Sequence, residues 1–253
     1  MKNYTQIRRT MDIMPIQASP GDDRQSSEAF SAIVNGERRD FSMHDYRSMY
    51  AVPDLYDAMM YGMLMCETPE RLTVELSAKL GCDHYHEPLR VLDIGAGSGA
   101  FAEQLRRAEL KIDKIVGLDI FPLAKQAAMR DRPRAYDDYV VCDLTALEPE
   151  HLRSFEELAP NCVAVASATG WGNHIPVEGF QNAFDLLEDR GWFVFHVKPN
   201  DPDPECVALN EWIDQLIDRG EIQNVVRDEI FHRWNTAGEK IHYSYVIGQK
   251  ALN

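Results

Sequence analysis

Residues 91–100 read V-L-D-I-G-A-G-S-G-A. An apolar run ends at Ile94, glycines stand at Gly95, Gly97 and Gly99, and Phe101 to Leu105 then follow with helical spacing. Strand, glycine turn and helix in that order form an arrangement that grips an adenosyl cofactor. A side chain at the turn would hold the ligand away from the backbone, and the turn itself calls for positive φ.

Read as G-x-G-x-x-A, Gly95, Gly97 and Ala100 also fit a nicotinamide dinucleotide fingerprint. Asp93 separates the two readings. A dinucleotide strand is apolar at this place, and a carboxylate there repels a pyrophosphate but attracts an ammonium or a sulfonium. D-I-G-A-G-S-G resembles the first motif of the class I S-adenosylmethionine-dependent methyltransferases. The resemblance implies an α/β fold: a Rossmann-like, seven-stranded, mostly parallel sheet with a C-terminal antiparallel hairpin and an N-terminal helical cap. It also implies S-adenosylmethionine as cofactor and S-adenosylhomocysteine as its product; no metal is expected, because the sequence carries no spaced acidic ligand set.

Composition narrows the partners. The chain has 253 residues, with 41 acidic against 26 basic side chains for a formal charge of -15. No Lys/Arg cluster exceeds short pairs such as Arg8-Arg9, so nucleic acid is not an expected partner. Five scattered cysteines without a C-x-x-C suggest neither a disulfide framework nor a zinc site. No apolar run is long enough to span a bilayer, so the expectations are no membrane and a cytoplasmic location.

The organisation expected is an arm over residues 1–41, mobile or loosely docked, a helical cap over 42–87, and the S-adenosylmethionine-binding domain over 88–253. The arm is polar and broken by Q-A-S-P-G-D-D at 17–23. In the cap, Tyr46, Tyr50, Tyr56, Met59, Met60 and Met63 recur at helical spacings and Pro53 interrupts them, which predicts two or three short helices. Tyr56-Asp57 resembles the element that the family sets beside the methionine end of the cofactor, and Tyr50 is expected at the acceptor.

Residues 114–119 read as a second buried strand ending in Asp119, which lies 20 residues beyond Gly99. A carboxylate there suits both ribose hydroxyls in either cofactor class. The resemblance puts Ile120 and Phe121 against the adenine. The third strand, 139–142, leads into Asp143-Leu144. By the resemblance an acidic side chain here accepts from the adenine amino group, and Cys142 and Leu144 flank it. With Ala96 in the glycine turn, these complete the expected cofactor contacts around the base and ribose.

The fourth strand, 162–167, continues into A-T-G-W-G-N-H-I-P at 168–176. The family places a small residue, here Ala168, beside the methionine moiety. Trp171 reads either as an acceptor wall or as a ring packed under the cap. His174 reads either as the base that takes a proton from the acceptor or as a helix-entry residue that packs. A helix over 177–190 precedes the fifth strand at 192–198, where alternation puts His196 and Lys198 on one face; His196 is a candidate for the acceptor. A helix near 205–218 and strands near 224–227 and 241–247 complete a terminal hairpin.

The expected activity is methyl transfer from S-adenosylmethionine to a small-molecule acceptor through an oxygen, nitrogen, sulfur or carbon nucleophile. The alternatives are an NAD(P)-dependent oxidoreductase, a non-catalytic S-adenosylmethionine-binding protein, and another use of the same cofactor. These motifs report the cofactor and leave the acceptor, its attacking atom and the oligomeric state open.

Overall fold

The computed structural model describes residues 3–16, 27–169 and 174–252. The chain begins with α1 (Tyr4–Thr10) and three short strands, β1 (Met14–Ile16), β2 (Ala29–Val34) and β3 (Glu37–Ser42), paired antiparallel in that order. Next come α2 (Tyr46–Ala51), α3 (Leu55–Asp57) running into a π-helix (Ala58–Met63), and α4 (Thr68–Cys82). The remainder alternates: β4 (Leu89–Ile94), α5 (Ala100–Arg107), β5 (Ile112–Asp119), α6 (Pro122–Asp131), β6 (Asp138–Val141), α7 (Pro149–Leu158), β7 (Cys162–Val165), α8 (Val177–Leu186), β8 (Trp192–Val197) and α9 (Pro204–Asp218), closing with β9 (Ile222–Trp234) and β10 (Lys240–Lys250).

The last seven strands form one sheet in the order β6-β5-β4-β7-β8-β10-β9. The first five in that order are parallel, and β10 pairs antiparallel with both β8 and β9. This is the seven-stranded, mostly parallel sheet with an antiparallel terminal hairpin that the motifs imply. Chain direction across the sheet reverses between β4 and β7, and ligands bind at the carboxyl edge of such a switch point.

Helices cover both faces, which is why the central strands read as almost unbroken apolar runs. On one face Leu92, Ile94, Phe193 and Phe195 pack with Phe155, Phe180, Phe184 and Trp212 from α7, α8 and α9. On the other, Val91, Ile115, Trp192 and Val194 pack with Leu72, Leu76, Phe101 and Leu105 from α4 and α5. So α4, which falls within the segment expected as cap, is a layer of the sheet domain.

Part of the segment expected as a mobile or loosely docked arm over 1–41 packs against the cap. Phe30, Ala32 and Val34, alternate residues of β2, and Phe41 of β3 are buried against Met49, Leu55 and Met59 of the cap helices. The physical cause is a two-residue hairpin at Asn35-Gly36, both at positive φ (54° and 85°), the turn chemistry that matches strand twist. Boundaries shift elsewhere as well. The strand expected near 224–227 runs to Trp234 because exposed Arg227, Asp228 and Glu229 lie on the outermost strand, where polar side chains face water. The helix expected to reach 190 stops at Leu186, and α7 carries no counterpart in the expectations.

Candidate active site

The glycine turn is held by its neighbours as well as by its own conformation. Gly95 and Gly97 have φ of +64° and +52°. A Cβ on Gly95 would lie 2.2 Å from Ala168 Cβ, and one on Gly97 2.6 Å from the Tyr50 hydroxyl oxygen. Loop and cap therefore close on the turn more tightly than any side chain permits. Gly99, also at positive φ, caps the start of α5. It sits behind the turn against Tyr136, away from the cavity described below.

Asp119 ends β5 and ties two loops together. Its Oδ2 accepts from Gly97 N–H (3.0 Å) and its Oδ1 from Phe121 N–H (2.9 Å). Burial raises its pKa, and the amides of Phe121, Gly97 and Ile120 oppose that rise. Asp93 is deeper still, 1% exposed. It accepts from the Tyr136 hydroxyl at 2.7 Å. Burial pushes its carboxyl up to about 7, against the Tyr136 bond and with a contribution from the Asp119 charge. Asp143 is different: it is exposed and accepts from Thr145 N–H (2.8 Å) and Oγ1–H (2.7 Å), which hold its pKa below the usual value.

These groups open on a cavity of about 400 Å³. Its floor is the carboxyl edge of β4, β5 and β7, and the cap closes it from above. Tyr50 and Tyr56 lie with ring centroids 4.9 Å apart, and Tyr46 sits 6.2 Å from Tyr56 and 6.5 Å from Phe121. The His174 Nε2 is 3.0 Å from the Tyr46 hydroxyl oxygen. Burial is the largest cause of a Tyr46 phenol pushed up to about 12, so this hydroxyl keeps its proton at neutral pH.

Of the residues singled out in the sequence, Tyr50, Tyr56, Asp93, Gly95, Ala96, Gly97, Asp119, Ile120, Phe121, Cys142, Asp143, Leu144, Ala168 and His174 line this one cavity. Tyr50, expected at the acceptor, lies over Gly97 in the glycine turn. Trp171 lies outside the described residues. His196 is corrected: it is fully buried, its Nε2 accepts from Ser167 N–H (2.8 Å), and its Nδ1 is 2.6 Å from Thr169 Oγ1. Burial first, then His174, depresses it to about 3, so it is a neutral ring holding the loop after β7. Lys198, expected on the same strand face, lies one residue beyond β8 and pairs with Asp201 at 2.5 Å.

Sequence reasoning missed His44, Tyr61, Ser167 and Ile175 in the cavity wall, and the place of Tyr46 beside His174. Only Tyr46 left a usable signal, four residues before Tyr50 and so on the same face of α2. Asp57, next to Tyr56, does not reach the cavity. It pairs with Arg132 (2.6 Å) and accepts from Ser98 Oγ–H (2.7 Å), which joins the cap to the glycine turn.

A doubly wound sheet, a glycine cradle that excludes Cβ atoms and a carboxylate at the tip of β5 define a protein that binds an adenosine-containing cofactor. The sequence family described as a methyltransferase domain matches residues 65–244. The chain belongs to that family, the class I S-adenosylmethionine-dependent methyltransferases, and is an enzyme of that class. No curated protein matches it in sequence. Among solved structures it is similar to the N-methyltransferase NodS from Bradyrhizobium japonicum WM9 in complex with S-adenosylhomocysteine, at 14% identity and a TM-score of 0.54 over 82% of this chain and 97% of that one. It is also similar to cofactor-bound Rv0187 from MTB (16% identity, TM-score 0.50, 73% and 81% covered) and to the CurJ carbon methyltransferase (15% identity, TM-score 0.50, 72% and 54% covered). At these identities the likeness is one of fold.

Proposed function

We propose that this enzyme methylates a small-molecule acceptor seated beneath the cap, with its cofactor held along the carboxyl edge of β4, β5 and β6. The residues fit the cofactor: the glycine cradle leaves backbone for it to lie against, and the cavity lies within the usual size range of small-ligand sites. When bound, S-adenosylmethionine supplies an electrophilic methyl group on a sulfonium. Asp119 accepts from the ribose hydroxyls with the lone pairs that Gly97 and Phe121 leave free. Asp143 and Leu144 hold the adenine edge, and Ile120 and Phe121 pack against its ring. Asp93 and Tyr56 face the methionine end, where Ala168 leaves room.

The chain's further contribution is alignment and exclusion of water, since a well-oriented pair of reactants gains up to about 7–11 kcal/mol over a free encounter. His174, oriented by the Tyr46 hydroxyl, takes the proton that the acceptor loses. The observation that carries the acceptor class is the roof. Tyr46, Tyr50, Tyr56 and Tyr61 from the cap all border the cavity, so an acceptor reaches the reacting end only by fitting beneath them. The acidic charge, without a basic patch, supports the same class over nucleic acid. No helix among the described residues is long and apolar enough to cross a membrane. A cytoplasmic setting is part of the proposal and rests on the scattered cysteines.

The test is calorimetric titration with S-adenosylhomocysteine, with NAD+ and NADP+ in parallel, followed by transfer of labelled methyl to a small-molecule panel and to bulk RNA. One-site binding of S-adenosylhomocysteine with label in a small molecule is expected. Dinucleotide binding would overturn the cofactor assignment, and label in RNA alone would overturn the acceptor class.

A further inference from the structure

A side chain sets the path by which the chain leaves the sheet after β7. The parallel ladder between β7 and β8 ends with Val165 opposite Phe195. One residue further along β8 stands His196, and there an imidazole replaces the backbone as pairing partner: the Ser167 amide donates to its Nε2 at 2.8 Å. An amide N–H can only donate, so Nε2 carries the lone pair. Burial keeps the ring neutral, and its single proton therefore sits on Nδ1, which donates to Thr169 Oγ1 at 2.6 Å. One ring thus holds the loop on both sides of Ala168.

The ring is itself fixed from behind. His196 is fully buried, with the centroids of Tyr243 and His232 at 4.9 and 5.6 Å. His232 stacks on Tyr243 at 4.4 Å, and its Nδ1 is 2.7 Å from Thr68 Oγ1 at the start of α4. The anchor of the loop therefore reaches back into the terminal hairpin and α4.

What it holds is a strained and crowded stretch. Ser167 has φ of +64°, an uncommon conformation for a residue other than glycine, and one that persists only where the surroundings enforce it. The bend carries Ala168 onto the glycine turn, where a Cβ on Gly95 would lie 2.2 Å from the Ala168 Cβ. Ser167 and Ala168 line the cavity with Gly95.

We propose that His196 is a positioning residue for the methionine end of the cofactor: its two hydrogen bonds hold the bend at Ser167 that sets Ala168 against Gly95, and so fix the wall beside the amino-acid tail. The ring acts through the loop, since the cavity is lined by Ser167 and Ala168 in front of it. The adenosine half is assigned to the loops after β5 and β6, on the far side of β4 from β8, so the effect is confined to one end of the ligand. This proposal rests on the cofactor placement given under the proposed function.

The test compares two ligands on the full chain. 5′-Methylthioadenosine keeps the adenosine and sulfur of S-adenosylhomocysteine and lacks its amino-acid tail; calorimetry measures the tighter binding and ligand-observed NMR the weaker. His196→Phe keeps a ring and removes both bonds, whereas His196→Gln offers an acceptor and a donor on one amide. His196→Phe should weaken S-adenosylhomocysteine about tenfold or more, as expected for two neutral hydrogen bonds, and 5′-methylthioadenosine less than about threefold. His196→Gln should recover part of the loss. Equal losses for the two ligands, an unchanged affinity for S-adenosylhomocysteine, or a Gln variant no better than Phe overturns the proposal, as does a wild type that binds both ligands equally. If His196→Phe fails to fold, Thr169→Val decides, because it removes one bond and keeps the side-chain shape. There S-adenosylhomocysteine should weaken about two- to tenfold with 5′-methylthioadenosine unchanged, and parallel or absent losses overturn the proposal. A wild type that takes no S-adenosylhomocysteine overturns the cofactor assignment beneath the proposal, a failure seen before any variant is made.

Discussion

Arg132→Met removes the cation at the junction of cap, glycine turn and N-terminal helix. Arg132 and Asp57 are 3% and 1% exposed in their side chains and pair at 2.6 Å. Arg132 Nη1 also donates to the Ser98 carbonyl (3.1 Å) and Nη2 to the Tyr4 hydroxyl (2.8 Å). Removing one partner of such a pair strands the other charge and costs about 3–5 kcal/mol. The bond from Arg132 Nε to Glu103 reaches a carboxylate that is 31% exposed and adds little. Burial raises the Asp57 pKa above the usual carboxylate value, although Arg132 and Ser98 pull it down. Its contribution to stability is therefore present below the unfolded carboxylate value and lost as pH rises through the folded value. Without Arg132 the folded value climbs further. The variant's deficit should thus be largest at pH 8 and shrink toward pH 5.5, by up to about 1.4 kcal/mol per pH unit below the new pKa. Urea denaturation of wild type and variant at both pH values measures it. Asp57→Asn in the Arg132→Met background should recover part of the loss at pH 8, since a neutral amide still accepts from Ser98. A deficit under about 1 kcal/mol at pH 8, or one that grows on acidification, would refute the reasoning.

Four further outcomes follow from the site. Asp119→Ala removes a charged acceptor and loosens the turn it ties, so S-adenosylhomocysteine should bind roughly ten- to a hundredfold more weakly by calorimetry; an unchanged dissociation constant sinks the ribose assignment. Because the Asp93 carboxyl lies near 7 and an ammonium favours its ionised form, affinity for S-adenosylhomocysteine should rise between pH 6 and pH 8; Asp93→Asn should flatten that dependence, and a parallel profile in the variant counts against the contact. Gly97→Ala forces a Cβ toward the Tyr50 hydroxyl at a positive φ, so it should lower both thermal stability and cofactor affinity, whereas Gly36→Ala, with open space around it, should leave affinity unchanged. With an acceptor in hand, His174→Ala should cut the rate about a hundredfold or more and remove the acid limb of the pH-rate profile; an unaltered rate and profile would show that His174 is not the base.

That the glycine turn, Asp93, Asp119 and Asp143 gather round one cavity was legible because they are loop and strand-end positions whose spacing along the chain is local. Period-two alternation in the strands and the glycines between strand and helix carry that information without any knowledge of what packs on top. The same locality explains the misses. His196 looks available from its strand, yet Ser167 and Thr169 fold over it and take both its nitrogens. Asp57 looks like part of the cofactor element, yet its partner Arg132 comes from 75 residues away. Residues 29–41 looked like loose chain, yet the Asn35-Gly36 hairpin brings Phe30 and Phe41 onto one buried face. The sequence by itself determined the sheet, its edge and the class of cofactor. Only the tertiary structure decided which cap tyrosines roof the cavity and that Tyr46 meets a histidine 128 residues away. Periodicity assigns a side chain to a face, but its neighbours across that face come from distant segments, and the energy of burying polar groups selects among them.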